Sequence, residues 1–596
     1  MPASPPATER GLPPRVVLAL LALGLAALLG WQVWQGRPVT LPEAGAGSKL
    51  PCVSYAPFRR PGHTPFDATL RIGPELIEAD LRLLAKVSGC VRTYGIDHGL
   101  DMVPAVARKL GLTVMLGAWI GRDAAANEAQ LERALALARD NADVVRLLVV
   151  GNEVLLRREL PPHELAALLQ RARRHSPVPV AYADVWEFWL RHASVLRGHV
   201  DVVAAHVLPY WEDEPVGIGH AVDHVHAVTA QVRQALAPLP VWVAETGWPA
   251  QGRQRGPALP GAREQARFVR ELLARPLPAQ AGAPGFNVIE AFDQPWKRAL
   301  EGAMGGGWGL FDAAGHPRVL LSGPQVRSDA GFERVAAGAA LGVLVGAVVG
   351  WVAGRATGRS LGRPGADEAG RAKAAPGLVG LLAFTFAMAW IGALVMLQWP
   401  LWRAWSHDLA QASAGGLFAA TAISGGLFAA LQLTERVAAV SRAGPMLALP
   451  LHPPGLADAW RQRAPWHRRA AAAVRLATLF ATACIALGLL FDPRYRPLAW
   501  PVLAAPAAMW GALALLGERL SPGAREERVL GALIGLAAPA LMAQEGMANT
   551  QAWGLAATWV AMAAATCWPH RAACADAGRA HTSAASSTAG AASPLE

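Results

Sequence analysis

Glu153 and Glu245 are the two residues of this chain whose positions most invite chemistry. Each closes an apolar run: Arg146-Leu-Leu-Val-Val-Gly-Asn152 leads into Glu153, and Val241-Trp-Val-Ala244 leads into Glu245. Two carboxylates flanking a glycosidic bond can supply a proton donor and a nucleophile. The donor must hold its proton near working pH, which calls for a poorly solvated site or a neighbouring charge. The nucleophile must stay ionised and be held by donors. Arg92 and Tyr94 are candidates for that task, and an arginine inside the apolar run GCVRTYG is itself unusual. A single Glu behind an apolar run is more often a loop residue or a helix cap. Two of them, each beside Gly, Asn or Trp, tip the balance toward catalysis. Asp101, Asp123 and Asp213 compete less well, because each falls a few residues beyond its run, in a connecting loop.

The elements that must position these residues are legible from about 51 to 322. Strands are expected at 52–58, 89–95, 112–120, 144–154, 178–185, 201–210, 241–248 and 286–292. Most are separated by segments such as IGPELIEADLRLLAKV, with apolar residues at three- and four-residue spacing. Mostly apolar strands alternating with helices indicate a parallel sheet covered by helices. A span of about 270 residues suits a closed (β/α)8 TIM barrel, whose typical size is about 250. An open doubly wound sheet is the alternative, but no GxGxxG follows the first strand. In a closed barrel, the C-terminal strand ends share one mouth, so Glu153 and Glu245 would meet there.

The motifs also resemble a known family. Gly151-Asn152-Glu153 and Glu245-Thr246-Gly247-Trp248-Pro249 are similar to the two signatures of glycoside hydrolase family 17, the β-1,3-glucanases and glucanosyltransferases. Phe292-Asp293-Gln294-Pro295-Trp296-Lys297 and Gly309-Leu310-Phe311 resemble that family too, as do Val53-Ser54-Tyr55-Ala56-Pro57-Phe58 and Arg92-Thr93-Tyr94. The resemblance implies a (β/α)8 barrel and retaining chemistry on β-1,3-glucan, with Glu153 as acid/base and Glu245 as nucleophile. Asn152 then sits where the sugar 2-hydroxyl is held. The expected substrate-binding set is Asn152, Arg92, Tyr94, Asp184, His206, Tyr210, Trp248, Phe292, Trp296 and Lys297. For His206 and Asp184 a place in the core is the competing reading, and any one aromatic can equally be packing between barrel and helices. Plant members carry an acidic residue where this chain has Gln294. Retaining chemistry requires neither metal nor cofactor, and no metal-ligand spacing is visible.

The chain is 53% hydrophobic, with the apolar residues concentrated near the start and after residue 330. Residues 1–15 read as a cytoplasmic N-terminus, 16–34 as a transmembrane anchor flanked by Trp31 and Trp34, and 35–50 as a linker. A cleaved signal, with Ala44-Gly45-Ala46 as processing site, is the alternative for the first segment. Seven further spans are expected within 335–568, near 335–354, 375–398, 412–433, 471–491, 499–518, 528–546 and 549–568; a Ser/Ala-rich tail fills 569–596. Loops at 355–374 and 434–470 are rich in Arg, whereas those at 399–411, 492–498 and 547–548 are short, although Arg403, Arg494 and Arg496 make the contrast imperfect. Turning the Arg-rich loops inward places the barrel outside the cytoplasm. Arg475, Glu518 and Glu545 fall at span edges, where snorkelling is the plain expectation.

That distribution accounts for the net charge of +11 without nucleic acid. Five cysteines are too few for a disulfide scaffold, but Cys52 and Cys90 start the first two strands and could be joined in an oxidising compartment. The multi-span context resembles the bacterial membrane-bound branch of the family, in the inner membrane, associated with periplasmic glucan synthesis, elongation or branching. Expected partners are a β-glucan or oligosaccharide, membrane lipid and a glucan synthase or export partner. A plain endo- or exo-glucanase, a non-catalytic glucan-binding or export component, and a transporter with a structural barrel are the competing readings.

Overall fold

The computed structural model describes residues 14–43, 47–280, 283–326, 331–361, 378–442, 465–515 and 525–567. The candidate processing site at 44–46, Glu518 and the tail at 569–596 lie outside the described residues, as do the loop segments at 362–377 and 443–464.

Eight parallel strands close into a barrel: β1 (Cys52–Ser54), β2 (Cys90–Arg92), β3 (Thr113–Ala118), β4 (Val145–Asn152), β5 (Val180–Val185), β6 (Val202–His206), β7 (Val241–Thr246) and β8 (Phe286–Val288). Each pairs with its sequence neighbour, and β1 closes the circle on β8 through Cys52–Asn287 and Val53–Val288. Every expected strand is present, but most stop short of their expected C-terminal ends, because there the backbone leaves the sheet to build the mouth. Along the strands, side chains alternate between two cores. Met115, Leu147, Val149, Ala181, Ala183, Ala204, Trp242 and Ala244 fill the interior. Alanines at four of these positions leave room for Trp242 and for Arg92, whose guanidinium lies 5.8 Å from the Trp242 ring. The other strand faces pack on helices α2 (Pro74–Leu84), α3 (Val103–Lys109), α4 (Ala124–Asp140), α5 (Pro162–His175), α6 (Trp186–Leu196), α7 (Ala221–Leu236) and α8 (Ala262–Ala274). Cys52 and Cys90, at the starts of adjacent strands, are joined by a disulfide with Cα atoms 4.3 Å apart.

Among the described residues, helix α1 (Pro14–Gln35) precedes the barrel, and seven long helices follow it: α9 (Phe332–Leu361), α10 (Leu378–Trp405), α11 (Leu409–Arg442), α12 (Pro465–Phe491), α13 (Trp500–Leu515), α14 (Arg525–Glu545) and α15 (Thr550–Cys567). Five are long and apolar enough to cross a membrane, namely α1, α9, α10, α11 and α12. The remaining three, also expected as spans, do not reach that combination among the described residues. Helix α13 is described over 16 residues, and α14 opens with Arg-Glu-Glu-Arg. They nevertheless share one core with α12, through Leu479, Leu503, Ile534, Leu541, Leu555 and Trp559. A glycine ladder at Gly338, Gly342 and Gly346 lets α9 lie close against Gly392, Met388 and Thr385 of α10.

Two span-edge residues depart from expectation. Arg475 does not snorkel; it pairs with Glu527 of α14 at 2.6 Å, both residues buried. Glu545 is paired with Arg253 of the barrel. Further barrel contacts reach Ala404, Pro493, Arg496 and Ala548. The barrel therefore touches the last turn of α10 and the connections α12–α13 and α14–α15, and sits on their side. Trp31, Trp34, Trp399, Trp500 and Trp553 are exposed at the helix ends of that same side, where an aromatic girdle marks a membrane–water interface.

Candidate active site

Strand pairing shifts register at three places next to the mouth: before Asn152 in β4, before His206 in β6 and within β7 around Glu245. Such irregularities re-aim side chains at barrel rims. The turn after β4 is tighter still. Gly151 has φ +84 and Glu153 has φ +54, a left-handed conformation uncommon outside glycine and concentrated at functional sites. A Cβ at Gly151 would also press on Val154 at 2.9 Å, so this glycine is required.

These turns bring Glu153, His206 and Glu245 together, with one ligand atom from each lying within 4.8 Å of the others. His206 stands between the carboxylates, Nδ1 at 3.0 Å from Glu153 Oε1 and Nε2 at 3.5 Å from Glu245 Oε1. Burial pushes the Glu153 carboxyl up, but the hydrogen bond and charge of His206, with Arg157 and Arg92, outweigh it and hold the group below the usual range. That departs from the expected raised acid: the partner imidazole, not burial alone, sets this group.

Arg92 is the hub on the other side. Its Nη1 donates to Glu245 Oε1 at 2.9 Å and to the Ala244 carbonyl at 2.8 Å, and its Nη2 donates to Asn152 Oδ1 at 2.5 Å. The Arg92 guanidinium also lies 4.8 Å from the Tyr94 ring, whose hydroxyl donates to Ser54 at 3.0 Å. A buried charge fork fixes Glu245 and Asn152 relative to each other.

The remaining expected residues divide. Lys297 lies by the site and pairs with Glu290 at 2.9 and 3.0 Å. Trp296 is half-buried, edge-on to exposed Phe66. Asp184 is fully buried and its oxygens are occupied: Tyr182 OH and the Leu155 and Leu156 amides donate to one, the Val185 amide to the other. Burial raises its pKa to about 6. Asp184 thus shapes the turn that follows Glu153. Trp248, Tyr210 and Phe292 are also fully buried. Trp248 donates to the Leu259 carbonyl at 3.0 Å and Tyr210 to that of Arg253, while Phe292 packs on Tyr55 and Phe311. These three pack beneath the loops instead of facing a sugar, because motif adjacency does not reveal which way a side chain points.

Glu290 was not anticipated. It is 1% exposed, and burial lifts its carboxyl to about 7 against the lowering charge of Lys297. It stands just after β8, as Glu153 stands just after β4, so the same search for acids after apolar runs could have found it. Gln294, where plant enzymes carry an acid, donates to the Ala56 carbonyl at 2.7 Å and accepts from Trp296. Asp123 caps α4, accepting from the Ala125 and Ala126 amides. Trp119 is 42% exposed, with the Arg157 guanidinium over one face of its ring at 4.4 Å.

A closed parallel barrel with clustered carboxylates at its C-terminal mouth is an arrangement that carbohydrate-active enzymes use, and sequence comparison relates the barrel to such enzymes. The profile of the BtgE/BtgC glycoside hydrolase domain matches residues 52–309. A glucan 1,3-beta-glucosidase of Candida albicans is 25% identical over 258 residues, 40% of this chain and 82% of that protein. One from Schizosaccharomyces pombe is 28% identical over 236 residues, 37% of this chain and 72% of that protein. The crystal structure of a family 17 beta-1,3-glucanosyltransferase from Rhizomucor miehei is 23% identical, covering 46% of this chain and 97% of that one, with a TM-score of 0.39. Over its barrel, the chain is a distant relative of BtgE-like glycoside hydrolases. These named relatives are fungal.

Proposed function

We propose that this protein is a membrane-bound retaining glycosidase of the transglycosylating kind, acting on β-1,3-glucan. The observation that carries the reading is the approach of Glu153 and Glu245 to within 4.8 Å, with His206 between them. An inverting pair keeps about 6.5–9.5 Å for a water; a retaining pair keeps about 5–5.5 Å.

Glu245, held by Arg92, attacks the anomeric carbon, and the C–O bond to the leaving sugar breaks as its oxygen takes a proton from Glu153. Loss of solvent from Glu153 as a sugar seats in the cleft favours its protonated form, against the lowering by His206, Arg157 and Arg92. A sugar seated in the cleft displaces water and strengthens every charge interaction there. Glu153, again a carboxylate, then removes a proton from the acceptor hydroxyl, which attacks the glycosyl–Glu245 ester and frees the nucleophile. A sugar acceptor lengthens or branches the chain; water shortens it. Asn152 faces the ring hydroxyl beside the reacting carbon, and Lys297 with Glu290 binds further along. Trp119 and Trp296 offer apolar faces to pyranose rings.

We infer a bacterial inner-membrane enzyme with its barrel on the periplasmic side, working in glucan elongation, branching or synthesis. Two features support that side: the barrel contacts the loops opposite the Arg-rich segments, and its Cys52–Cys90 disulfide suits an oxidising compartment. The test is a product profile of the full-length protein on β-1,3-gluco-oligosaccharides. Products longer than the substrate are expected for wild type, with turnover abolished in Glu245→Ala and crippled in Glu153→Gln. Full activity in Glu245→Ala would end the mechanism.

A further inference from the structure

Two barrel loops leave the mouth and dock on the membrane helices. The first follows β7. Its Arg253, 5% exposed, pairs with Glu545 at the end of α14 and donates to the carbonyls of Pro493 and, at 3.0 Å, Arg496. Its Gln254 is held on every side: the side-chain oxygen accepts from the Thr550 amide and hydroxyl at 3.1 and 2.8 Å, and its nitrogen donates to the Ala548 carbonyl at 2.9 Å. The Gln254 amide donates to Gln551 at 2.8 Å.

The second loop is the strap Pro295–Met304, after β8. On its outer side, Arg298 donates to the Ala404 carbonyl, and the Ala303 amide reaches the Tyr495 carbonyl at 3.4 Å. Gly302, at φ +64, lies so close to Tyr495 that a Cβ there would overlap the Tyr495 carbonyl. On its inner side, the same strap carries Lys297, which pairs with Glu290, and half-buried Glu301. The charges of Glu153 and Glu245 both reach Glu301, adding to the burial that raises its carboxyl. One short segment is therefore tied to the barrel mouth through Lys297 and Glu290 on one side and to the membrane helices on the other.

Beyond its own short turns the strap is held by the Lys297–Glu290 pair on the barrel and by the membrane helices. Its helix spans only Arg298–Glu301 and has no side-chain cap, far below the length at which a helix is stable unaided. Its position depends on what it rests against. A buried ion pair such as Arg253–Glu545 contributes little net stability against an apolar replacement, and its best-attested use is to fix a register. Here the register is that of barrel on bundle.

We propose that the membrane helices are a positioning part of the active site, the end of α10 at Ala404, the loop at 493–496 and the α14–α15 junction at 545–551 holding the strap so that Lys297 and Glu301 face the Glu153–Glu245 pair. This rests on reading that pair as the catalytic centre, and it gives the C-terminal helices a task beyond anchorage.

The test uses the full-length protein in lipid nanodiscs, comparing wild type with Arg253→Met, Gly302→Val and, as control, Arg108→Met, which breaks a surface pair with Asp143. Gly302→Val leaves no buried charge unpaired, so it keeps the test open if Arg253→Met fails to fold. Hydrogen exchange of the 295–304 amides is expected to accelerate at least 10-fold in both docking variants, with the barrel strands unchanged. Turnover of β-1,3-gluco-oligosaccharides should fall at least 10-fold in kcat with KM moved less, and the pH profile should shift. The control should match wild type in every respect. Unchanged strap exchange overturns the proposal, as does faster exchange with kcat and pH profile intact. Should wild type turn over no β-glucan, the catalytic reading fails, and the exchange arm alone decides whether the helices hold the strap.

Discussion

Replacing Lys297 by Met should destabilise the barrel by an amount that depends on pH, and the dependence can be worked out from one buried carboxyl. Among the described residues, Lys297 Nζ is the group that satisfies Glu290, at 2.9 and 3.0 Å from its two oxygens, and Glu290 is 1% exposed. Removing one partner of such a pair costs roughly 3–5 kcal/mol if the survivor stays charged. The survivor can instead take a proton. Burial already holds Glu290 at about 7, with Lys297 opposing that rise. Without Lys297 it moves higher, so at pH 8 the variant carries a neutral Glu290 and the loss settles near the lower limit, about 3 kcal/mol.

The sign follows from linkage. A carboxyl whose folded pKa is raised contributes stability that is fully present below its unfolded value and is lost as pH rises through the folded value. In wild type the Glu290 contribution is therefore lost between about 4.5 and about 7. In the variant the decline continues above 7, at about 1.4 kcal/mol per unit. The variant should thus be about 1.4 kcal/mol worse off, relative to wild type, at pH 8 than at pH 5.5. At about 2–4 °C per kcal/mol, the pH 8 loss is about 6–12 °C in Tm. Thermal unfolding of both proteins at the two pH values, with the double variant Glu290→Gln/Lys297→Met alongside, measures it. The double variant should recover at least half of the loss. An equal loss at both pH values, or no recovery in the double variant, would refute the reasoning.

Two more outcomes follow from named contacts. Asp184→Asn loosens the turn that presents Glu153, so kcat should drop about 10-fold with KM little changed, an effect of misplacing a positioned group; steady-state kinetics on β-1,3-gluco-oligosaccharides would show it. Cys52→Ser with Cys90→Ser opens a bridge across 38 residues of chain, which should cost about 2–4 kcal/mol in denaturant unfolding and leave kcat at wild-type level in the folded protein.

The barrel was legible because each strand is buried on both faces and so reads as an apolar run, with helices spaced between. Glu153, Glu245 and Arg92 were legible for the opposite reason: a charge at the end of such a run, or inside it, needs an explanation. What the runs hide is direction. Trp248, Tyr210 and Phe292 adjoin the motifs yet point into packing, and the register shifts flanking β7 are invisible in the order of residues. Remote partners are equally hidden. Glu545 reads as a lone acid at a helix end, and its partner Arg253 lies 292 residues earlier. Arg475 likewise gives no hint that Glu527 waits on another helix.

The chain enters and leaves the barrel through one narrow doorway. Pro38 pairs with Val326 and Val39 with Gln325, just after α1 ends and shortly before α9 begins. Leu25, Leu28 and Leu29 of α1 pack with Val335 and Ala339 of α9, so the two helices form a hairpin whose tip has been opened to admit a whole domain. Termini this close are what make insertions tolerable. Cut out across that doorway and bridged by a short turn, the barrel would leave the helical hairpin behind it intact. The hairpin is in this sense a socket, while Glu545, Thr550 and Gln551 form a face fitted to this one barrel.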